Sequence, residues 1–75
     1  MAESLHEEQS RTEEDMLWEV FRALEEGAAL ARRIAESERD RNRADAATRF
    51  DESAQKKEQR AMVIQRMLLE EKPSS

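Results

Sequence analysis

The sequence predicts an all-α fold, an antiparallel two-helix hairpin that dimerises into a four-helix bundle. Its 75 residues are 41% charged and 37% hydrophobic, with one Gly, one Pro and no Tyr, a composition that argues against a turn-rich β fold. Two series of apolar residues recur at helical spacing. The segment between them, residues 36–43, holds no apolar residue. These observations indicate two amphipathic helices joined by a polar turn.

The start of the first helix is marked by three candidate caps. S-x-x-E capping boxes begin at Ser4 and at Ser10, and Thr12 is a third candidate. We expect residues 1–11 to be frayed or partly helical and helix 1 to span about residues 12–40. A hydrophobic stripe then recurs at three- and four-residue steps through Leu17, Val20, Phe21, Leu24, Ala28, Ala31, Ile34 and Ala35. Adding Met16, Ala23 and Leu30 widens it to about half the circumference, so this helix is predicted to contact two neighbours.

The second helix is predicted over about residues 44–71, followed by a disordered tail, residues 72–75. Its stripe is an unbroken 3-4 series with one polar member, and comprises Ala47, Phe50, Ala54, Lys57, Ala61, Ile64 and Leu68. Continuing the first stripe would require apolar residues at 38, 41, 45 and 48, which are all polar. This phase break predicts a turn at about residues 39–43, with Asn42 either ending helix 1 in the left-handed conformation or capping helix 2. The alternative is one continuous helix of about 65 residues, since no Gly or Pro enforces the break.

Folding the hairpin about Asn42 pairs residues whose numbers add to about 84. Phe50 then faces Ile34, and Lys57 faces Gly27, which leaves room for the lysine stem at a cost of about 1 kcal/mol in helix propensity. Alanines at several facing positions predict a close but thin seam, which buries little apolar surface.

The large apolar residues concentrate at the open end of the hairpin, away from the turn. A chain of this length buries only about 60% of its unfolded surface and usually needs a staple or a partner, and it has no cysteine to supply a disulfide. We therefore expect a homodimer, or docking on a parent or partner protein. The predicted interface consists of Met16, Leu17, Trp18, Val20, Phe21, Leu24, Phe50, Met62, Val63, Ile64, Met67, Leu68 and Leu69.

Other function classes are disfavoured. His6 is the single histidine, so a histidine-based nucleophilic site and a di-metal carboxylate site both lack ligands or a base, and we expect no catalytic residue, no metal and no cofactor. The arginines around the turn are interleaved with acids and the pI is 4.9, which argues against nucleic acid. Acidic residues around the aromatics of helix 1 argue against a membrane surface, and no apolar run is long enough to span one.

The order and spacing of several segments resemble a known family. They are residues 4–9, 17–18, 22–26, 29–35, 47–50 and 64–69, and they resemble the helical C-terminal segment that follows the catalytic domain in some bacterial chemotaxis-type (CheB-type) protein-glutamate methylesterases. The chain departs from that pattern at Gly27 and Asn42 and in having no cysteine.

The resemblance implies a non-catalytic module of a chemosensory signalling protein in a bacterial cytoplasm. The catalytic domain of the family is absent, so no catalytic residue is carried over. The sequence leaves open whether the chain is excised or complete. The alternative hypothesis is a free-standing acidic adaptor or inhibitor that binds another protein through the same apolar end.

Overall fold

The chain forms two α-helices packed against each other. The computed structural model describes the backbone of residues 2–70 and the side chains of residues 11–70. Helix α1 spans Ala2–Asp40 and helix α2 spans Ala44–Glu70, with no strand among these residues. The all-α fold and the two packed helices are therefore confirmed. The predicted tail, residues 72–75, lies outside the described residues.

The backbone of α1 is helical from Ala2, so the helix includes the segment expected to be frayed or partly helical. Ser4, Ser10 and Thr12 all lie inside α1, so none of them is its N-cap. Strong helix formers such as Glu, Ala, Leu and Arg fill this segment, and their propensity continues the helix through the capping boxes. Because α2 ends at Glu70, the first turns of α1 extend beyond the end of its partner helix.

The turn is made by residues 41–43, and Asn42 ends α1. Asn42 has φ 61°, the left-handed conformation. The amide of Arg43 donates to the carbonyl of Glu38 at 2.8 Å, and the amide of Asn42 donates to that of Arg39 at 3.0 Å. This pair of bonds is a Schellman motif, which satisfies carbonyls that the helix end would leave unpaired. Of the two roles open to Asn42, ending α1 is the correct one, and the continuous-helix alternative is wrong.

Arg43 makes two further contacts that stabilise the turn. Arg43 pairs with the carboxylate of Glu38 at 3.6 Å, and its carbonyl accepts the amide of Ala47 at 3.0 Å, the first hydrogen bond of α2. The hydroxyl of Thr48 donates back to the carbonyl of Ala44 at 3.0 Å, in the first turn of α2. The reversal is thus fixed from both sides.

The seam between the helices consists almost entirely of alanine. Apart from Leu68, every buried residue among positions 11–70 is an alanine, namely Ala28, Ala31, Ala35, Ala47, Ala54 and Ala61. On α2 the buried positions recur every seven residues, the repeat of a coiled-coil seam. Side chains this small let two backbones approach closely. The thin, alanine-rich seam that the sequence predicted is the observed one.

Close approach of the backbones displaces the bulky side chains to the edges of the seam. Leu17, Phe21, Leu24 and Ile64 are half-buried. Phe50, expected to face Ile34 inside the seam, remains 36% exposed, so the prediction that it fills a seam position is only partly right. A seam held close by Ala47 and Ala54 has no room for a whole phenyl ring between the helices.

Candidate interaction surface

The hairpin has two unlike sides, which flank the alanine seam. One side, here called the ion-paired face, carries cross-helix salt bridges. The other side is here called the lysine face, because the side chain of Lys57 lies along its border with the seam. It consists of the positions about 60–140° around the helical wheel from the seam, on the side away from the salt bridges. Its members on α1 are Met16, Val20, Ala23, Gly27, Leu30, Ile34 and Ser37, and on α2 they are Ala46, Arg49, Ser53, Lys56, Arg60, Val63 and Met67.

A chain of four charges closes the ion-paired face. The guanidinium of Arg32 donates from Nε and Nη2 to the two carboxylate oxygens of Glu58, at 3.0 and 2.6 Å, and Nη1 lies 3.6 Å from Asp51. Arg39 also pairs with Asp51. Hydrogen bonding to Arg32 lowers the pKa of the Glu58 carboxyl and raises that of the guanidinium. These contacts fix the register of the helices, but they are exposed, and exposed pairs stabilise little.

Sequence reasoning missed this network. The sequence interleaves the arginines around the turn with acids on the same helices, whereas Arg32 and Arg39 reach across to α2. Part of the signal is readable in the sequence, because the residue numbers add to 90 in two of the three cross-helix pairs, Arg32 with Glu58 and Arg39 with Asp51. The third pair, Arg32 with Asp51, does not share this sum. Opposite charges at a constant sum are what antiparallel helices place side by side.

A shallow groove lies on the ion-paired face towards the open end. It has a volume of about 420 Å³, and Phe21, Ala28, Ala29, Ala61 and Met62 provide its apolar lining, with Arg32 and Glu58 at one end. The ring of Trp18 packs edge-on against that of Phe21, with centroids 5.7 Å apart and planes at 89°. The alanines that form its floor explain the groove, because they leave a channel between the bulkier edges.

The lysine face differs in chemistry. A Cβ added to Gly27 would lie 3.1 Å from Cδ and Cε of Lys57, so the lysine stem lies against the glycine as the sequence predicted. The ammonium of Lys57 donates to the hydroxyl of Ser53 at 2.8 Å. Among the described residues, no carboxylate pairs with Arg49, Lys56 or Arg60. An acid stands four residues before Arg49 (Asp45) and before Lys56 (Glu52) in the sequence, and the first of these predicts a local ion pair. Neither pair forms among the described residues.

Most large apolar side chains are left accessible. Nine of them are 36–59% exposed among residues 11–70, and eight belong to the interface that the sequence predicted. Trp18, Met62 and Leu69 lie on the ion-paired face, and Met16, Val20, Val63 and Met67 on the lysine face. Phe50 lies near the turn, far from the open end, and Leu68 is buried in the seam. The ninth, Leu30, extends the exposed stripe of the lysine face towards the turn.

The described residues hold no metal site and no membrane-spanning helix. No group of three or more His, Asp or Glu side chains is arranged to hold a metal ion in residues 11–70. Neither helix, as far as the structure describes it, is long and apolar enough to cross a membrane. Comparisons with protein-family models, with curated proteins and with solved structures find no match for this chain.

Proposed function

We propose that the chain is a non-catalytic self-association or docking module, which completes its core with a second helical hairpin to form a four-helix bundle. The observation that carries the proposal is the inversion of burial. Small alanines are buried inside the hairpin, and the large apolar side chains remain exposed, seven of them at its open end. An isolated hairpin therefore leaves most of its large apolar side chains in contact with water.

The size of the unused surface supports association. Covering about 600 Å² of apolar surface per hairpin would contribute roughly 15 kcal/mol before the costs of association and side-chain ordering. Association itself costs about 4–15 kcal/mol, which offsets much of this gain, so we expect association that depends on protein concentration. Scattered exposed apolar residues are normal on soluble proteins, but a concentration at one end of a hairpin is typical of an interaction site.

We further propose that the module works in a chemotaxis-type signalling protein of the methylesterase class, in a bacterial cytoplasm. The support for this setting is the resemblance of residues 4–69 to the helical extension of CheB-type methylesterases. The module itself takes no part in ester hydrolysis in this proposal. Its role is to join two signalling chains, or to hold one of them to a partner.

Sedimentation equilibrium from low micromolar to near-millimolar concentration tests the association. We expect the mass to rise from that of one 8.8 kDa chain to that of two. Val63→Glu and Met67→Glu place a carboxylate in the exposed stripe and are expected to shift the equilibrium towards monomer. Gln59→Glu, on the outer surface of the same helix, is the matched control and should leave it unchanged. A folded, monomeric chain at every concentration would refute self-association and favour the adaptor alternative.

A further inference from the structure

The lysine face has the features of a binding site for one more helix. Its α1 side is uncharged from Met16 to Ser37, whereas its α2 side carries Arg49, Lys56 and Arg60 without a paired carboxylate among the described residues. A helix that fits this face must supply an apolar stripe and, along one edge of it, a row of acids. This requirement combines hydrophobic and charge complementarity.

Helix α1 itself meets that description. Its exposed apolar residues Met16, Val20 and Leu30 are flanked by Glu19 and Glu26 on the outer surface of the helix. In addition, α1 already runs antiparallel to α2 within the hairpin. We propose that the occupant of the lysine face is α1 of a second copy, in a two-fold dimer with both turns at the same end. The proposal deepens the self-association proposed above, and rests on it.

The register of this dimer follows from symmetry. Rotation by 180° about an axis parallel to the helices changes no residue's height, so α1 of the second copy meets α2 at the heights set within one hairpin. On the lysine face, residues level with each other have numbers that add to about 84, as Gly27 and Lys57 do. Val20 of one copy therefore lies level with Val63 of the other, and the apolar ends of the two copies coincide.

The charges at the outer edge agree with the same register. Glu19 lies level with Arg66 of the second copy, and Arg33 lies level with Glu52. Glu26 lies beside Lys56 of the second copy. The outer edge of this interface thus brings together opposite charges at three heights. Arg49 of the second copy lies at nearly the height of Arg33, and Glu52, three residues further along the same helix, offsets this like-charge approach.

The small residues of α1 provide space for Arg60, another of the three cations on this face. Arg60 of one copy lies at the height of Ala23 and Gly27 of the other. Ala23 has only a methyl group and Gly27 has no side chain, so the stem of Arg60 can pass between the helices. Its guanidinium would then lie near Glu26. Gly27 would then leave room for two side chains, Lys57 of its own chain and Arg60 of the second copy.

The opposite orientation, with one hairpin turned end over end, fits less well. Full overlap would then place Val63 and Met67 of one copy over the arginine- and glutamate-rich turn of the other. The exposed apolar surface of both copies would meet charged side chains and stay partly hydrated. In contrast, the parallel arrangement gives each helix two antiparallel neighbours and buries a face of about 40 by 20 Å, close to the ~800 Å² per partner of a standard interface.

Mixed disulfide cross-linking tests the arrangement, because the chain contains no cysteine of its own. Val20→Cys chains, isotope-labelled, are mixed with unlabelled Val63→Cys chains in a glutathione buffer, and the products are separated by mass. The proposed dimer places residue 20 next to residue 63 of the other copy, whereas the two copies of residue 20 lie diagonally, beyond the Cα separation that a disulfide spans. We expect the mixed disulfide to exceed clearly the half that random pairing gives.

The control pair lies on the other face. Trp18→Cys mixed with Leu69→Cys reports contact between ion-paired faces and is expected to show no excess of the mixed product. An excess in this pair, or a mixed 20–63 product at or below half, overturns the proposed geometry. Sedimentation of the wild-type chain separates the two failures, since a dimer with the wrong cross-links refutes only the geometry, whereas a monomer refutes self-association itself.

Charge exchange gives a second readout that does not depend on cysteine. Lys56→Glu or Glu26→Lys alone is expected to raise the dimer dissociation constant several-fold, because each creates a like-charge contact twice in the dimer. The double variant restores the opposite-charge pair, and the dissociation constant should return towards the wild-type value. Additive weakening in the double variant would contradict the pairing of α1 with α2 of the second copy.

Discussion

Gly27→Ala tests how the lysine stem limits the seam. In the interior of a helix, Ala is more favourable than Gly by about 1 kcal/mol. However, the new Cβ would lie 3.1 Å from two carbons of Lys57, and carbon atoms prefer about 3.5–4.0 Å. Lys57 must therefore move by a few tenths of an ångström, with its far end still held by Ser53. A forced side-chain adjustment of this kind costs roughly 0.5–1.5 kcal/mol.

We expect Gly27→Ala to stabilise the wild-type chain by at most about 0.5 kcal/mol, and the Lys57→Ala background by the full ~1 kcal/mol. Urea unfolding, followed by circular dichroism at one fixed protein concentration, gives the four free energies of this double-mutant cycle. Ala29→Gly, at an exposed position of the same helix, calibrates the propensity term. An equal gain in both backgrounds would show that Lys57 does not limit position 27.

Three further predictions concern the turn, the seam and the ion-paired face. Asn42→Ala should cost about 1 kcal/mol in thermal unfolding, since alanine pays to adopt φ 61°, whereas Asn42→Gly should be nearly neutral; equal losses would contradict the left-handed cap. Ala54→Leu should destabilise the hairpin by about 1–3 kcal/mol through overpacking, and Gln55→Leu, next to it but exposed, should not. The pKa of Glu58 should rise in Arg32→Gln, as measured by NMR titration. Because the pair lowers that pKa, its contribution to stability is present at neutral pH and is lost as the pH falls through the folded-state pKa.

The turn and the pairing of the helices could be predicted because they depend on phase. Polar residues at 38, 41, 45 and 48 broke the first stripe, and Asn42 offered the conformation that ends a helix. Once the turn was placed, antiparallel geometry fixed which residues meet. The contact of Lys57 with Gly27 followed from arithmetic alone, and the structure shows it.

The two unlike sides of the hairpin could not be predicted from the apolar pattern. Hydrophobic periodicity locates the seam but does not say which flank will be bridged, since that depends on the reach of Arg32 and Arg39 towards α2. The exposure of Phe50 was missed for a related reason. A heptad position is normally a buried one, but at this seam the backbones held close by Ala54 decide what fits.

The alanine seam also reverses the usual relation between residue size and mutational sensitivity. In most cores, the largest side chains tolerate change least, because their loss opens cavities. In this hairpin, the methyl groups of Ala47, Ala54 and Ala61 mark the positions where any growth must separate the helices, whereas the exposed methionines and valines tolerate exchange within one chain. Selection on the hairpin would therefore keep small residues at the buried positions that recur every seven residues. The large exposed residues would be free to change together with the partner surface that covers them.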